Sequence, residues 1–405
     1  MSSFQRTLAA GLIGLAGTAV HAASIGEALD AAGSRAPEIL AAQAATTAAR
    51  SASMAAGTLP DPRLSVWVDD LPTTGEDRYH VGSSKRMASV MQEVPSGARR
   101  DAERQLADAQ ARGAEAQARA SRLNVRREAA LAWLELYFVD RRIAVLDAQD
   151  TLNTQAQKRD LAAVGGGASP ALVFAARLEA NELRDARDDL ASARRQAQVR
   201  LARWTGDTAA NQSADGDLPA WLAQDHLDAA GVETQPDLHA AAIRHDAANA
   251  EFALAKAATH PNWAVELALG ADAMDKGMAM LKFSMDLPVF QSSRQDPRIA
   301  AALARAEQSE AERAARLADL KREFDELAAE RDALVHQRQR LTEETLPLLQ
   351  RQADVALATL AGAKGDAGAV LEARKSRLAA EMRAVELQAR LAATDTRLYF
   401  LTGER

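Results

Sequence analysis

The residue types that usually carry catalysis are present without the spacing that catalysis needs. The seven histidines show neither an HxH nor an HExxH pattern, and they do not combine with Ser and Asp into a nucleophilic set. The chain contains no cysteine, which excludes thiol catalysis, zinc–thiolate sites, disulfides and a lipidated N-terminal cysteine. The triple glycine at 165–167 is not a phosphate loop, because no strand precedes it and no GK[ST] follows. We therefore predict no catalytic residue, no cofactor and no metal site, and a protein that is not an enzyme.

Methionine, whose thioether sulfur is a soft metal ligand, is clustered in two parts of the sequence. Six of the nine methionines fall in or beside the segments interpreted below as strands: Met87, Met91, Met274, Met278, Met280 and Met285. Thioethers bind Cu(I) and Ag(I), but methionine more often serves as apolar filler. Both interpretations stay open.

The composition favours long packed helices. The chain has 405 residues, of which 95 are alanine and only 4% are aromatic. Alanine favours the helix and lets neighbouring helices approach closely. The formal charge of -7 gives no reason to expect nucleic acid as a partner.

Residues 1–22 have the pattern of a secretory signal peptide. Arg6 supplies the positive charge, Leu8 to Val20 form an apolar stretch, and Val20-His21-Ala22 is a small-x-small cleavage site. The alternative is an ordinary N-terminal helix or a short anchor, although the apolar run is too short to span a bilayer. We therefore predict an exported protein whose mature chain has no transmembrane helix.

The sequence contains an internal duplication. Three pairs of matching segments, in the same order, are 37–39 with 236–238, 93–95 with 286–288, and 205–207 with 402–404. Their offsets of 199, 193 and 197 residues differ by only a few positions. We predict two tandem repeats, 23–206 and 236–405, joined by a linker at 207–235.

Long proline-free stretches predict long helices. If residues 97–163 are helical throughout, they form a helix about 100 Å long, which must pack along its length against other helices. Glycine-rich segments at 164–170 and 361–368 predict a turning point in each repeat. Pro347 predicts a kink in the second repeat.

Each repeat also contains two predicted strands, which form hairpins at 63–95 and 262–288. The strands are 64–70, 81–94, 263–270 and 277–287. In the last of them, apolar residues such as Leu281 and Phe283 alternate with polar residues such as Lys282 and Ser284. A small soluble sheet covered by helices fits this pattern, and so do membrane strands. Four strands cannot close a barrel, whereas three chains would supply twelve.

These features together resemble the TolC family of outer-membrane efflux channels. The resemblance rests on the signal peptide, the double repeat of helix, two strands and a long helical hairpin, and the closing Leu401-Thr402-Gly403. It covers essentially the whole mature chain. Leu59 to Leu64, and Gln92 to Pro95 followed by Ala98-Arg99-Arg100, look most like the heavy-metal branch, which serves cobalt–zinc–cadmium and copper–silver pumps.

The resemblance implies a mainly α fold with a membrane β-barrel. Three copies would form a twelve-stranded outer-membrane barrel and a long α-helical coiled-coil tunnel in the periplasm. The implied partners are a second and third copy, a periplasmic adaptor (membrane fusion) protein, an inner-membrane efflux pump and outer-membrane lipid. The implied function is a passive conduit from periplasm to exterior for heavy-metal cations.

The resemblance also implies roles for particular residues. The adaptor-docking tips would be Val164, Gly165, Gly166, Gly167, Ala168 and Ser169, together with Ala361, Gly362, Ala363, Lys364, Gly365 and Asp366, unless these are plain turns. The entrance gate would be Glu372 with Asp366, although one usual acidic position is Ala369 here. Alternatively, Glu372 is a solvated carboxylate paired with Arg374 or Lys375. The barrel lumen would contain Glu93, Lys282 and Asp286.

The main alternative is a periplasmic coiled-coil adaptor or scaffold protein without a membrane barrel. An adaptor would show one helical hairpin between β-rich halves, whereas this sequence predicts two hairpins and only four strands. A secreted enzyme is a second alternative, which no constellation of acids, histidines and nucleophiles supports.

Overall fold

The computed structural model describes residues 24–165, 171–206, 217–223, 228–362 and 367–403. The predicted signal peptide lies outside these ranges. The described residues group into two units. The helical unit comprises residues 24–32, 128–223 and 334–393, and the sheet unit comprises 33–127, 224–333 and 394–403, within the described ranges.

Helices make up most of the described chain. The helices are α1 (Ile25–Arg35), α2 (Pro37–Ala55), α3 (Gly97–Gly165), α4 (Ala171–Thr205), α5 (Pro236–Ala257), α6 (Gln291–Arg340), α7 (Leu346–Ala361) and α8 (Ala367–Leu401). Strands β1 (Arg63–Asp69) and β2 (Lys85–Val94) lie between α2 and α3, and strands β3 (Trp263–Ala271) and β4 (Gly277–Met285) lie between α5 and α6. Short 3-10 turns occur at Val81–Ser83, Ala220–Ala223 and Ala229–Thr234.

No helix in the part of the chain that the structure describes is both long and apolar enough to cross a lipid bilayer.

Helix α3 confirms the long helix predicted from the absence of proline. It has 69 residues, of which 97–127 belong to the sheet unit and 128–165 to the helical unit. Ala, Arg, Leu and Glu, which have high helix propensity, fill most of its positions.

Two helices end in the same way at positions that the sequence pairs. The hydroxyl of Thr205 donates to the Leu201 carbonyl at 3.0 Å, and that of Thr402 donates to the Leu398 carbonyl at 3.0 Å. The glycine that follows each threonine has a positive φ, 84° and 93° respectively. Only glycine adopts this conformation without strain, so the Thr-Gly pairs terminate α4 and α8.

The kink predicted at Pro347 takes the form of a π turn. Residues Leu341–Thr345 form this turn, and α7 begins immediately after it with Pro347 in its first two positions. The turn continues the helix from α6, because the N–H of Leu346 donates to the Leu341 carbonyl. This wide turn accommodates Pro347, which has no N–H to donate. The Thr342 hydroxyl donates to the Arg338 carbonyl at 2.9 Å, which satisfies a carbonyl beside the irregular turn.

The helical unit is held by leucine clusters between its helices. Leu146 of α3 is buried against Leu183 and Leu190 of α4, with Leu378 and Met382 of α8 packed against them. A second cluster joins α6 and the π turn to α8, and it consists of Leu334, Val335, Leu341, Leu387 and Leu391. Each fully buried leucine of this kind stabilises the fold by about 1.5–3 kcal/mol.

The sheet unit has a comparable core beside its helices. Its members come from the 3-10 turn before α5, from α5, from α6 and from the end of α8: Val232, Leu238, Leu317, Leu320, Phe324, Leu327, Leu398 and Leu401. The Gln235 amide also donates to the carbonyls of Phe400 and Leu401, which satisfies acceptors at the end of α8.

The four strands form one antiparallel sheet in the order β1-β2-β3-β4. The strand predicted at 81–94 begins only at Lys85, and residues 81–83 form a 3-10 turn instead. Gly82, Ser83 and Ser84 explain the difference, because glycine and serine favour turns over strands.

Candidate functional site

One face of the sheet is apolar across all four strands. The register pairs Leu64 with Val90, Val90 with Leu267, and Leu267 with Leu281, so these side chains point to the same side. The face consists of Leu64, Val66, Val68, Ala88, Val90, Val94, Trp263, Val265, Leu267, Leu269, Ala279, Leu281, Phe283 and Met285, with Arg86 and Gln92 as its polar members. Leu281 is 75% exposed and Val66 also 75%. No element of the described chain covers this face.

The opposite face carries most of the polar side chains of the sheet, and we call it the polar face. Some of its residues are more buried than those of the apolar face. The polar face carries nine charged or hydroxyl-bearing residues, among them Ser65, Ser89, Glu266, Lys282 and Ser284, and also Trp67, four methionines, two alanines and a glycine. Ser89 is only 2% exposed and Ala268 beside it is fully buried. The sheet therefore inverts the usual arrangement, in which the apolar face of a half-buried sheet packs inward.

Glu266 joins three strands on the polar face. Its Oε1 accepts a hydrogen bond from the Ser89 hydroxyl of β2 at 2.7 Å, and its Oε2 accepts one from Lys282 Nζ of β4 at 3.3 Å. Of the three predicted lumen residues, Glu93 and Lys282 lie on this face and are exposed. Asp286 follows β4, where its carboxylate faces the Asn262 amide at 3.5 Å.

The prediction omitted Ser89 and Glu266 from this set. The signal that would have found Glu266 is its place in β3, where Ala264, Glu266 and Ala268 alternate with the apolar residues of the other face.

Most of the clustered methionines lie on the polar face. Met87, Met91, Met278 and Met280 share it, whereas Met285 lies on the apolar face and Met274 in the β3–β4 turn. Gly270, between Met87 and Met278, has no side chain, and a Cβ there would lie 2.5 Å from Met87 Sδ. Among the described residues, no group of three His, Asp or Glu side chains is arranged to hold a metal ion.

Ion pairs tie the strand ends together where the hairpins turn. Lys85 of β2 pairs with Asp70 after β1 at 2.5 Å, and Arg86 pairs with Asp275 in the β3–β4 turn. Asp272 orders that turn, because its carboxylate accepts from the backbone N–H groups of Met274 and Lys276 at 2.8 and 2.9 Å.

The helices of the helical unit end at the two predicted turning points. Helix α3 ends at Gly165 and α4 begins at Ala171, while α7 ends at Ala361 and α8 begins at Ala367. Of the predicted tip residues, Val164, Gly165, Ala361 and Gly362 are described. The remaining ones, Gly166, Gly167, Ala168, Ser169, Ala363, Lys364, Gly365 and Asp366, lie outside the described residues.

A partly buried polar network links the helices about two to four turns from these ends. The Glu179 carboxylate of α4 is buried and accepts from the Gln149 amide of α3 at 2.9 Å. Arg374 of α8 lies 3.9 Å from its other oxygen, which has no hydrogen-bond partner. Lys375, the next residue of α8, pairs with Glu182 of α4 at 2.7 Å.

The same network bears on the predicted gate residue Glu372. Glu372 is exposed on α8, whereas Val370 and Ala373 beside it are buried. Arg374 and Lys375, the two cations considered as its partners, pair with α4 instead.

Comparison with solved structures identifies the architecture. A membrane protein from Pseudomonas aeruginosa matches with a TM-score of 0.79 at 18% identity, over 94% of this chain and 92% of its own. The outer-membrane channel CmeC of Campylobacter jejuni matches with a TM-score of 0.78 at 13% identity, over 94% and 85%. The outer-membrane protein VceC of Vibrio cholerae matches with a TM-score of 0.75 at 18% identity, over 94% and 96%. The chain shares the fold of these outer-membrane proteins.

Sequence comparison points the same way for part of the chain. Residues 232–404 match the family model of the outer membrane efflux proteins. No curated protein sequence matches the chain. The shared fold confirms the predicted mainly α architecture with four strands per chain.

Proposed function

We propose that this protein is the outer-membrane channel component of a tripartite efflux system. In this role it is a passive homotrimeric conduit from the periplasm to the exterior. The observation that carries the proposal is the exposed apolar face that continues across all four strands, opposite a polar face. Water disfavours such a surface, whereas bilayer hydrocarbon accepts it, as in membrane barrels with apolar outer and polar inner residues.

The open edges of the sheet support a trimer. Strands β1 and β4 each have one unpaired edge, and an unpaired backbone edge is not tolerated in hydrocarbon. Because the four strands alternate in direction, β4 of one copy can pair antiparallel with β1 of the next. Three copies then give a closed barrel of twelve strands, with Glu93, Lys282 and Asp286 directed to its lumen.

Two tandem repeats, 23–206 and 236–405 with a linker at 207–235, account for the order of the elements. Helix α2, strands β1 and β2, and helices α3 and α4 are followed by α5, β3, β4, α6–α7 and α8. The matching Thr-Gly helix ends support the same duplication.

In this proposal the two turning points dock on a periplasmic adaptor, which connects the channel to an inner-membrane pump. The docking residues are those of the tips at 164–169 and 361–366. Glu372, with Asp366, forms the entrance gate. The exposure of Glu372, whose neighbouring cations are engaged by α4, supports this role. Three such carboxylates around an axis attract cations.

We further propose heavy-metal cations as the transported substrate. The support is the resemblance of Leu59 to Leu64 and of Gln92 to Pro95 to the heavy-metal branch. The test is the growth of a deletion strain on cobalt, zinc, cadmium, copper and silver salts, with restoration by the intact gene. Unchanged tolerance to all five metals would contradict this substrate class but not the channel.

The channel itself is tested by membrane fractionation followed by native mass measurement of the detergent-extracted protein. We expect a trimer recovered from the outer membrane. A soluble periplasmic monomer or dimer would contradict the proposal and favour the coiled-coil adaptor or scaffold.

A further inference from the structure

The polar face of the sheet holds one charge pair away from the strand ends. Its charged members within the strands are Arg63, Asp69, Lys85, Glu93, Glu266 and Lys282, three of each sign. Four of them lie at or next to a strand end. Glu266 and Lys282 face each other in the interiors of β3 and β4.

The two partners of this pair differ in exposure. The Glu266 side chain is 15% exposed and both its oxygens accept hydrogen bonds, from Ser89 and from Lys282. The Lys282 side chain is 57% exposed. A mobile ion that passes this face therefore meets the ammonium group, while the carboxylate is covered by its two donors.

We infer that Lys282 keeps the barrel segment from preferring cations, because it compensates the negative charge of Glu266. The inference rests on the proposed channel function. Rings of charged side chains set selectivity in pores, because low-dielectric walls concentrate their field. In a trimer the pair occurs three times at one depth. As long as Lys282 is present, it compensates Glu266 and the ring carries no net charge.

A purely structural role is the competing explanation, because Glu266 cross-links three strands. The two roles predict different results. A structural cross-link affects the stability of the trimer when either partner is lost, but it has no reason to change the preference for cations over anions in opposite directions.

The experiment measures reversal potentials of single channels in planar lipid bilayers under a KCl gradient. We expect Lys282→Gln to raise the K⁺/Cl⁻ permeability ratio at least twofold, because Glu266 is then uncompensated. Glu266→Gln should lower the ratio at least twofold, because Lys282 is then uncompensated. The double variant should return close to wild type, which a double-mutant cycle makes quantitative.

Lys282→Arg is the matched control. It keeps a positive charge opposite Glu266 and changes only the side chain that bears it. We expect its permeability ratio to equal that of wild type. Each variant is first checked for a trimer of native mass, so that a folding defect is recognised.

The outcomes separate this inference from the proposed function. Variant channels that conduct with the wild-type permeability ratio overturn the inference and leave the channel intact. A change in Lys282→Arg of the size expected for Lys282→Gln also overturns it. A wild-type trimer that forms no pores at all contradicts the proposed function, and the inference falls with it.

Discussion

The sheet and the helical unit distribute their side chains in opposite ways. In the helical unit, leucines that lie between helices, such as Leu146 and Leu183, are buried, although leucines elsewhere in the unit, such as Leu348, are exposed. In the sheet, leucines such as Leu64 and Leu281 are exposed, while Ser89 is almost completely buried. The two regions therefore differ in which side chains they bury, which indicates that they are folded for different surroundings.

The difference also shows how the two regions hold together. The helical unit gains much of its stability from apolar burial within the chain, and buried polar contacts such as that between Gln149 and Glu179 are exceptions. The sheet is held together by backbone hydrogen bonds between its strands and by the contacts of Glu266. Its apolar face is not buried within the described chain. The same kind of substitution should therefore change assembly or stability by different amounts in the two regions.

The largest effect is expected for a charge placed on the apolar face. Leu281→Arg should reduce the amount of trimer in the outer membrane at least tenfold, because an arginine near the bilayer midplane costs about 2–4 kcal/mol in each strand. Ser284→Arg is the matched control on the polar face of the same strand, and its trimer yield should equal that of wild type. Both are measured by fractionation and gel mobility of the unheated trimer. Equal trimer yields from Leu281→Arg and Ser284→Arg would contradict the proposal that only the apolar face contacts lipid.

A cavity in the helical unit should have the next largest effect. Leu146→Ala deletes a buried side chain between α3, α4 and α8, and we expect it to lower the free energy of unfolding by about 2–5 kcal/mol. Val199→Ala, at a position 71% exposed on α4, should change it by less than about 0.5 kcal/mol. Thermal loss of helical circular dichroism measures both. A cost at Val199 as large as that at Leu146 would show that another chain covers Val199.

Loss of Arg374 should have a moderate effect. Arg374→Ala leaves the buried Glu179 carboxylate with Gln149 as its partner, and we expect a loss of about 1–3 kcal/mol. Adding Glu179→Gln should restore most of that loss, because the amide is neutral and still accepts from Gln149. The four members of this cycle are compared by thermal unfolding. Additive effects would mean that the two side chains do not interact.

The smallest effect is expected at the π turn. Pro347→Ala should change the free energy of unfolding by less than about 1 kcal/mol, because the π turn before it already accommodates a residue without an N–H. Ala353→Pro, in the interior of the same helix, should cost about 3 kcal/mol or more. A large effect of Pro347→Ala would mean that the proline itself, and not the turn before it, sets the geometry.

The sequence alone predicted the features that depend on local spacing. The proline-free stretch predicted α3, and the alternation around Leu281 predicted which side chains of β4 share a face. The link from Ser89 to Glu266 was not predicted, because it joins residues 177 positions apart and depends on how β2 pairs with β3. The engagement of Arg374 and Lys375 by α4 was missed for the same reason, since it depends on which helices lie side by side.

The π turn at Leu341–Thr345 has a consequence for the surface beyond it. Its i→i+5 bonds wind the chain more slowly than an α-helix does, so the side chains of α7 are rotated out of phase with those of α6. Before the turn, Leu334 is buried against α8, but after it Leu348 and Val355 are more than 60% exposed. The π turn thus changes which side of the helix faces the rest of the chain, so that Leu348 and Val355 of α7 are exposed.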